Sequence, residues 1–314
     1  MEQKLTIYLF DLAPSDLNHR LDHLVQHHLK QLSRAEIKKL IETGQVSVDN
    51  TTITKASTNI TQGLLLKVTF KPQQESMDLP QEQPLNILYE DTDILVINKA
   101  AGMLVHPGSG QKDGTLLNAL LHRYPESQNL PRAGIVHRLD KLTSGVLIIA
   151  KTYPAYLNLI QNFKQRTVSR TYHAIAHGVI HIPKIVEEPI GRHPKKRTLM
   201  SVHDTGSFAK TIFKPIKKWA KATLLECELH TGKTHQIRVH AEFIRHPLYG
   251  DPQYGRQHHL IIPFKRQALH AIRLQLKHPI NSNPLDFNCP YPEDFQNLID
   301  QFDRLEVNQD KSPK

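Results

Sequence analysis

Residues 134–151 read GIVHRLDKLTSGVLIIAK. The run GVLIIAK is apolar and rich in β-branched residues at strand length, so it reads as a buried strand. The Thr-Ser-Gly ahead of it reads as a turn. Before the turn stand His137, Arg138 and Asp140. An aspartate is almost never buried without a partner or a purpose. Loops at strand mouths are also common places for chemistry. Any fold for this chain must bury a strand at 145–151 and give Asp140 something to do at its mouth.

Other segments follow the same logic. ILVINK (94–99), TYHAIAHGVI (171–180) and ATLLECELH (222–230) are strand candidates. TLLNALLHRY (115–124) reads as a helix capped by Thr115, and PAYLNLIQNFK (154–164) as a helix opened by Pro154. The latter places Tyr156, Ile160 and Phe163 on one face. THQIRVHAEFIR (234–245) is amphipathic, with Ile237, Ala241 and Ile244 inward and Arg238, Glu242 and Arg245 on a neighbouring stripe. Strands outnumber helices and do not alternate regularly with them. The fold class is therefore α+β, with a mixed, largely antiparallel β-sheet flanked by helices.

Residues 73–84, QQESMDLPQEQP, carry two prolines and no apolar periodicity. They read as a linker between a small module at 1–72 and a larger domain at 85–305. The polar stretch 306–314 reads as a disordered tail. Within the small module, SRAEIKKLIETG opens with Ser33 and Glu36 in a capping-box spacing and ends at Gly44. Its helix has Ile37, Leu40 and Ile41 on one face, with Arg34, Lys38 and Lys39 off it. QVSVDNTTI then alternates like a hairpin turning at Asp49-Asn50. A basic helix feeding a hairpin suits RNA; a plain solvated helix face is the other reading.

Charge points the same way. Forty Lys+Arg against thirty Asp+Glu give a net +10, which favours a polyanionic partner, a simply basic protein being the alternative. The segment 191–219 holds eight Lys+Arg, including Arg192, Lys195, Lys196 and Arg197, and one acid, Asp204. It reads as a sequence-independent phosphate grip. Two cysteines at no metal-ligand spacing fit a reducing cytoplasm. The N-terminus does not read as a signal peptide, and no window approaches the roughly 18 apolar residues of a membrane span. Twenty histidines include no HExxH pair, so no metal is expected. GKT at 232–234 lacks the glycine a phosphate-binding loop needs, because Cys227 stands there. Gly108, Gly110 and Gly114 miss the dinucleotide spacing by one residue.

Three polar stretches remain: HRLD (137–140), RTVSRTY (166–172) and GKTHQIRVH (232–240). In their contexts they resemble the RluA-type pseudouridine synthases. GIVHRLDKLTSG (134–145), YEDTDILVINKAAGMLVHPG (89–108) and TGKTHQIRVH (231–240) match that family's motifs in order. HPLYGDPQYG (246–255), LHAIRLQLKHP (269–279) and FNCPYPEDF (287–295) continue the match. RLDHLV (20–25), residues 33–50 and ITQGLLLKV (60–68) resemble the S4 RNA-binding domain. HPGSGQKDGTLLNALLHRYP, LPRAGIVHRLDK and EEPIGRHPKKRTLMSV resemble the RluD-like branch, which modifies helix 69 of 23S ribosomal RNA.

The resemblance implies roles. Asp140 matches the catalytic aspartate, Arg238 the arginine that pairs with it, and Tyr172 the tyrosine that stacks on the flipped uracil. Residues alone would make Tyr172 a core aromatic and Arg238 a structural ion pair. Arg138 matches a wedge that fills the vacated base stack, and His137 beside it is expected to contact the RNA as a positioning residue rather than a base. Arg34, Lys38, Lys39, Arg192, Lys195, Lys196 and Arg197 are the expected RNA-backbone contacts. The implied reaction is an isomerisation with no net redox change and needs no cofactor. The implied partner is 23S rRNA or a large-subunit particle, met by a monomer. Other 23S sites, transfer RNA, and a non-catalytic assembly factor are the alternatives. Three positions depart from the family pattern: Leu142 replaces an aspartate, Ala100 a proline, and Leu64 an acid after Gly63.

Overall fold

The computed structural model describes residues 6–29, 32, 34–70, 79–108, 111, 113–196, 198–256 and 258–310. Ser33, Arg197 and the first half of the expected linker lie outside them. The chain divides into two compact units, Met1–Met77 and Asp78–Lys314.

The small unit builds an antiparallel sheet in the order Thr6–Asp11, Leu65–Phe70, Val46–Val48, Thr51–Thr52. Asp49 and Asn50 turn the last two strands with φ of 46° and 65°, the mirror-image turn that matches hairpin twist. Helices Leu21–His28 and Arg34–Glu42 bury Leu21, Leu24, Val25, Ile37 and Ile41 against Val46, Leu66 and Val68. Arg34, Lys38 and Lys39 are exposed. Gly63, at φ 141°, has no room for a side chain, since a Cβ would lie 2.3 Å from Val48 Cγ1. Beside it Leu64, at 78% exposure, shows the position where the family pattern has an acid. Its N–H and that of Leu65 donate instead to the Asp49 carboxylate at 2.9–3.1 Å.

The large unit is a nine-stranded sheet. Its order is Lys184–Val186, Thr211–Trp219, Ala222–Leu229, Ser169–His177, Leu269–Lys277, Ser144–Ala150, Ile94–Lys99, Asn86–Glu90, with Pro284–Asn288 also on Leu269–Lys277. Among the described residues the Leu269–Lys277 pairing with Ser144–Ala150 is parallel and the other pairings are antiparallel. The sheet is mixed and largely antiparallel, as the strand pattern predicts. Ser144–Ala150 is buried at every residue. Helices Leu116–Arg123, Tyr153–Gln165 and Gln236–Phe243 add Leu116, Leu120, Ala155, Leu159, Ile237 and Ala241 to its core. Thr115 caps its helix as expected, accepting from Asn118 N while Asn118 Oδ1 accepts from Thr115 N.

The structure corrects several expectations. Ile160 is exposed, because Ala155 and Leu159 form the inner face of that helix, with Tyr156 and Phe163 half-buried beside them. Arg238 is buried, unlike Glu242 and Arg245 of the same expected stripe, which are exposed. The stretch from Glu306, expected to be disordered, is helical to Asp310 within Glu293–Asp310. Phe295, Leu298, Ile299 and Phe302 hold that helix to Trp219 and Tyr249, and Glu306 accepts the Ala220 N–H at 3.0 Å. Gln81, in the expected linker, is tied to the large unit through Asn118 O and Gly114 N. No helix among the described residues is long and apolar enough to cross a membrane.

Candidate active site

Two glycines shape the Asp140 loop. Gly134, at φ 79°, would put a Cβ 1.9 Å from Ala150 O, and Gly145, at φ 118°, would put one 2.3 Å from Ala271 O. Only the absence of a side chain lets the loop leave and rejoin the sheet so closely. Between them the loop is pinned through its backbone. Thr143 N donates to Asp140 O at 3.0 Å, and Gly102 N to Lys141 O at 2.8 Å. Arg266, paired with Asp294, donates to Leu142 O at 3.2 Å. Leu142 thus contributes to the loop by its carbonyl, without the carboxylate of the family pattern.

Lys99 ends strand Ile94–Lys99 and is almost fully buried. Its ammonium donates to Ala100 O and Met103 O at 2.9 Å and to Lys141 O at 3.2 Å. Burial pushes its pKa down to about 7, and the nearby Asp140 charge opposes the fall. This side chain, together with the Gly102 N–H, ties the loop 100–103 to the Asp140 loop.

Arg238 approaches Asp140 from helix Gln236–Phe243. Its Nη1 donates to Asp140 Oδ2 at 3.0 Å. Its other edge is fixed by a second carboxylate: Nε to Asp251 Oδ2 at 2.7 Å and Nη2 to Asp251 Oδ1 at 3.0 Å. Gln253 Oε1 takes a further Nη2 bond at 2.8 Å. Burial alone would lower the guanidinium's pKa, but its bonds to Asp251 and Asp140 hold it above its ordinary value. The Asp251 side chain is inaccessible, whereas that of Asp140 is 20% exposed. One carboxylate is given over to the arginine and the other remains open to an incoming group. Gln236 steadies the same helix start, accepting from Thr231 Oγ1 and Lys233 N and donating to Lys210 O and Thr211 Oγ1.

Asp140, Arg238, Tyr172, Arg138 and His137 all line one cleft of about 420 Å³. Tyr172 is buried on strand Ser169–His177, and burial, reinforced by the Asp140 charge, raises its pKa, so the phenol stays neutral. Arg138 is exposed. The His137 ring is committed to the fold: its Nε2 accepts the Ile148 N–H at 3.0 Å and its face stacks on Phe163 at 4.6 Å. Burial depresses its pKa to about 3, so it is a neutral acceptor.

The cleft also holds cations that the motif reading missed: Lys164, Arg166, Arg170 and Lys233. Arg170 lies over Phe163 at 5.7 Å and donates only weakly, from Nη2, to Leu229 O and Thr231 O at 3.4 Å. Its Nε is buried with no partner among the described residues. The signal was available in RTVSRTY, since alternate strand residues share a face and Arg170 stands two before Tyr172. The other predicted contacts do not line this cleft. Arg192, Lys195 and Lys196 are exposed on the hairpin of Ile190–Arg192 with Met200–Val202, and Arg34, Lys38 and Lys39 belong to the small unit. Among the described residues Asp91, Asp93 and His278 bring ligand-type atoms within 4.8 Å of one another. That trio is knitted by hydrogen bonds with Tyr89, Thr152 and within itself, away from the cleft lining.

A cleft with one open carboxylate, a buried neutral tyrosine and a wall of cations suits a polyanion presenting a planar base. A family model described as RNA pseudouridylate synthase matches residues 93–243, and one described as S4 domain matches residues 19–66. The chain is 43% identical over 299 residues to ribosomal large subunit pseudouridine synthase D of Yersinia pestis, covering 92% of each. It is 42% identical over 301 residues to the Vibrio vulnificus protein of that name, covering 92% of this chain and 93% of the other. The solved structure of human RNA pseudouridylate synthase domain containing 1 aligns with a TM-score of 0.55 and 25% identity, over 74% of this chain and 96% of that one. The chain belongs to the RNA pseudouridine synthase family.

Proposed function

We propose that this protein converts uridine to pseudouridine in 23S rRNA, at the helix 69 hairpin, with Asp140 as the catalytic carboxylate. The observation that carries the reading is the division of labour on Arg238. Asp251 fixes the arginine from inside, so that its remaining edge can hold the Asp140 carboxylate oriented at the cleft. The relatives' name, large subunit synthase D, supports the ribosomal target.

The target uridine must leave its stack to reach Asp140, at a cost of a few kcal/mol that is smaller in a loop than in a duplex. Arg138, exposed at the cleft, takes the vacated place with its planar guanidinium. The extruded uracil lies against Tyr172. The carboxylate acts at C1′ as the N1–C1′ bond breaks. The N1–C1′ electron pair stays on the base, which turns within the cleft; C5 then bonds to C1′ as the carboxylate is released, the C5 proton passes to solvent, and N1 takes up a proton in its place. Atoms and electrons balance without a redox partner. Lys164, Arg166, Arg170 and Lys233 take backbone phosphates along the cleft wall. The basic hairpin and the small unit's Arg34, Lys38 and Lys39 extend the grip.

The test is site mapping. Unmodified 23S rRNA, free and in large-subunit particles, is incubated with protein, and pseudouridines are located by carbodiimide-blocked reverse transcription. Product in helix 69 that vanishes with Asp140→Asn is expected, with RNA affinity little changed. Product elsewhere in 23S rRNA, or only in transfer RNA, would overturn the target. Wild-type turnover by Asp140→Asn would overturn the chemistry.

A further inference from the structure

The residue that opens helix Gln236–Phe243 is a histidine in the left-handed region, φ 58° and ψ 19°. Glycine or asparagine occupies that region with less strain, and strained residues of this kind gather at functional sites. The helix start does not explain the choice. The His235 side chain makes no capping bond, and Gln236 already holds the preceding loop.

The imidazole runs sideways between two groups. Its Nδ1 lies 2.9 Å from the Tyr254 hydroxyl, and its Nε2 lies 3.9 Å from Asp140 Oδ2. The Tyr254 oxygen also accepts the backbone N–H of Met200 at 3.0 Å. A backbone N–H can only donate, so the phenol proton is free to go to His235 Nδ1. A neutral ring so bonded carries its own proton on Nε2, the atom that faces the carboxylate. Burial favours that neutral ring, against the pull of Asp140. Arg238 Nη1 reaches the same oxygen, Oδ2, at 3.0 Å. Arg238 bonds Oδ2 and His235 faces the same oxygen, and neither is directed at Oδ1. The Tyr254 ring also lies 5.0 Å from the Arg238 guanidinium, so one side chain touches both neighbours of Asp140.

We propose that His235 is a positioning residue for Asp140, an Nε2–H donor whose tautomer is set by Tyr254. It closes its gap onto Oδ2 when RNA fills the cleft and leaves Oδ1 aimed at the sugar. A shift of under about 1 Å brings 3.9 Å within hydrogen-bond range. Because Met200 belongs to the basic hairpin, RNA held there is connected to Asp140 through Met200, Tyr254 and His235. The inference rests on the reading of Asp140 given above.

Two measurements test it. In single-turnover assays at saturating RNA, His235→Gly slows pseudouridine formation by about tenfold to a hundredfold, the range expected for a misplaced reacting group. KM and melting temperature stay near wild type, because a relaxed left-handed backbone offsets the lost hydrogen bond. His235→Gln, whose amide nitrogen reaches the place of Nε2, recovers much of the rate, and His235→Asn does not. A wild-type rate for His235→Gly, or equal recovery by the two amides, would overturn the proposal. The second measurement needs no RNA. Nitrogen-15 NMR of the imidazole shows the proton on Nε2 in the wild type and a shift toward Nδ1 in Tyr254→Phe. A proton on Nδ1 in the wild type overturns the proposal whatever the activity. Absence of wild-type product on any RNA would instead sink the assignment of Asp140, leaving the tautomer to decide this one.

Discussion

Arg238 carries two carboxylates, and the structure predicts that they differ in what they stabilise. Asp251 accepts four hydrogen bonds: Arg238 Nε at 2.7 Å, Arg238 Nη2 at 3.0 Å, Gln253 N at 2.9 Å and Tyr254 N at 3.0 Å. Asp251→Asn keeps the shape, removes the charge and turns one oxygen into a donor facing other donors. The arginine, 3% exposed, loses its buried counter-charge and keeps only Asp140, the carboxylate that water reaches. Breaking a buried pair in this way costs about 3–5 kcal/mol. For a domain of this size each kcal/mol is worth about 2–4 °C, so the melting temperature falls by roughly 6–20 °C. Asp140→Asn is different. It gives up one 3.0 Å bond from a carboxylate that water already reaches, and Arg238 keeps Asp251. The loss there is about 1 kcal/mol or less, under about 4 °C. Thermal unfolding of both variants followed by circular dichroism, beside their single-turnover rates, makes the comparison. Asp251→Asn loses stability first and Asp140→Asn loses chemistry. Equal melting shifts, or an Asp251→Asn shift within about 2 °C of wild type, would refute the division of roles.

Gly145→Ala destabilises the large unit by about 3 kcal/mol or more, since its Cβ would lie 2.3 Å from Ala271 O and 2.6 Å from Ala271 N. Gly102→Ala, which has open space around it, serves as the milder control, and chemical denaturation ranks the two. Stability falls in mild acid. Burial holds His137 at about 3 and His106, His177 and His270 at about 4, whereas an unfolded histidine titrates near about 6.5. The unfolded chain therefore binds more protons as pH drops. The contribution is full above about pH 6.5 and is lost toward pH 4, at up to about 1.4 kcal/mol per ring per pH unit. A melting temperature unchanged between pH 7 and 5 would contradict this. Arg170→Ala weakens RNA binding several-fold and flattens the slope of log affinity against log salt by roughly 0.7–0.9, the mark of one lost phosphate contact. A weaker complex with the wild-type slope would remove Arg170 from the RNA backbone.

The parts legible in the sequence are those decided by local pattern. GVLIIA, 145–150, is apolar without interruption and lies in a strand buried at every residue. VDNTT carries its turn in two residues that tolerate positive φ. Thr115 and Asn118 stand at capping-box spacing and cap each other. The tail misled because its polar residues outnumber its apolar ones. Helix Glu293–Asp310 is held instead by four apolar residues farther back and by one glutamate reaching Ala220, in the turn after strand Thr211–Trp219 and 86 positions away in sequence.

Arg238 shows why the remainder of the site was not legible. Helical periodicity assigned it to a stripe with Glu242 and Arg245, and both of those are exposed. Periodicity says which residues share a face, but not which of them has a counter-charge waiting inside. That depends on Asp251, thirteen residues on, in the turn after the helix, whose burial only the assembled fold reveals. His137 makes the converse point. Its place in HRLD suggests an RNA contact, yet strand Ser144–Ala150 returns beside it and gives its Nε2 the Ile148 N–H. A histidine so bonded cannot be protonated at Nε2 without losing a backbone hydrogen bond. Of the two polar residues ahead of Leu139, His137 is tied to the strand behind it, and Arg138, exposed at the cleft, is the one proposed to meet the substrate. In His137→Ala the Ile148 N–H would be buried unpaired, at about 1–3 kcal/mol. The loss would appear as instability together with a slower reaction, because the same loop carries Asp140. In Arg138→Ala the melting temperature stays put and only turnover on stacked uridines falls. If the two variants behaved alike in unfolding, the assignment of one to the fold and the other to the RNA would be wrong.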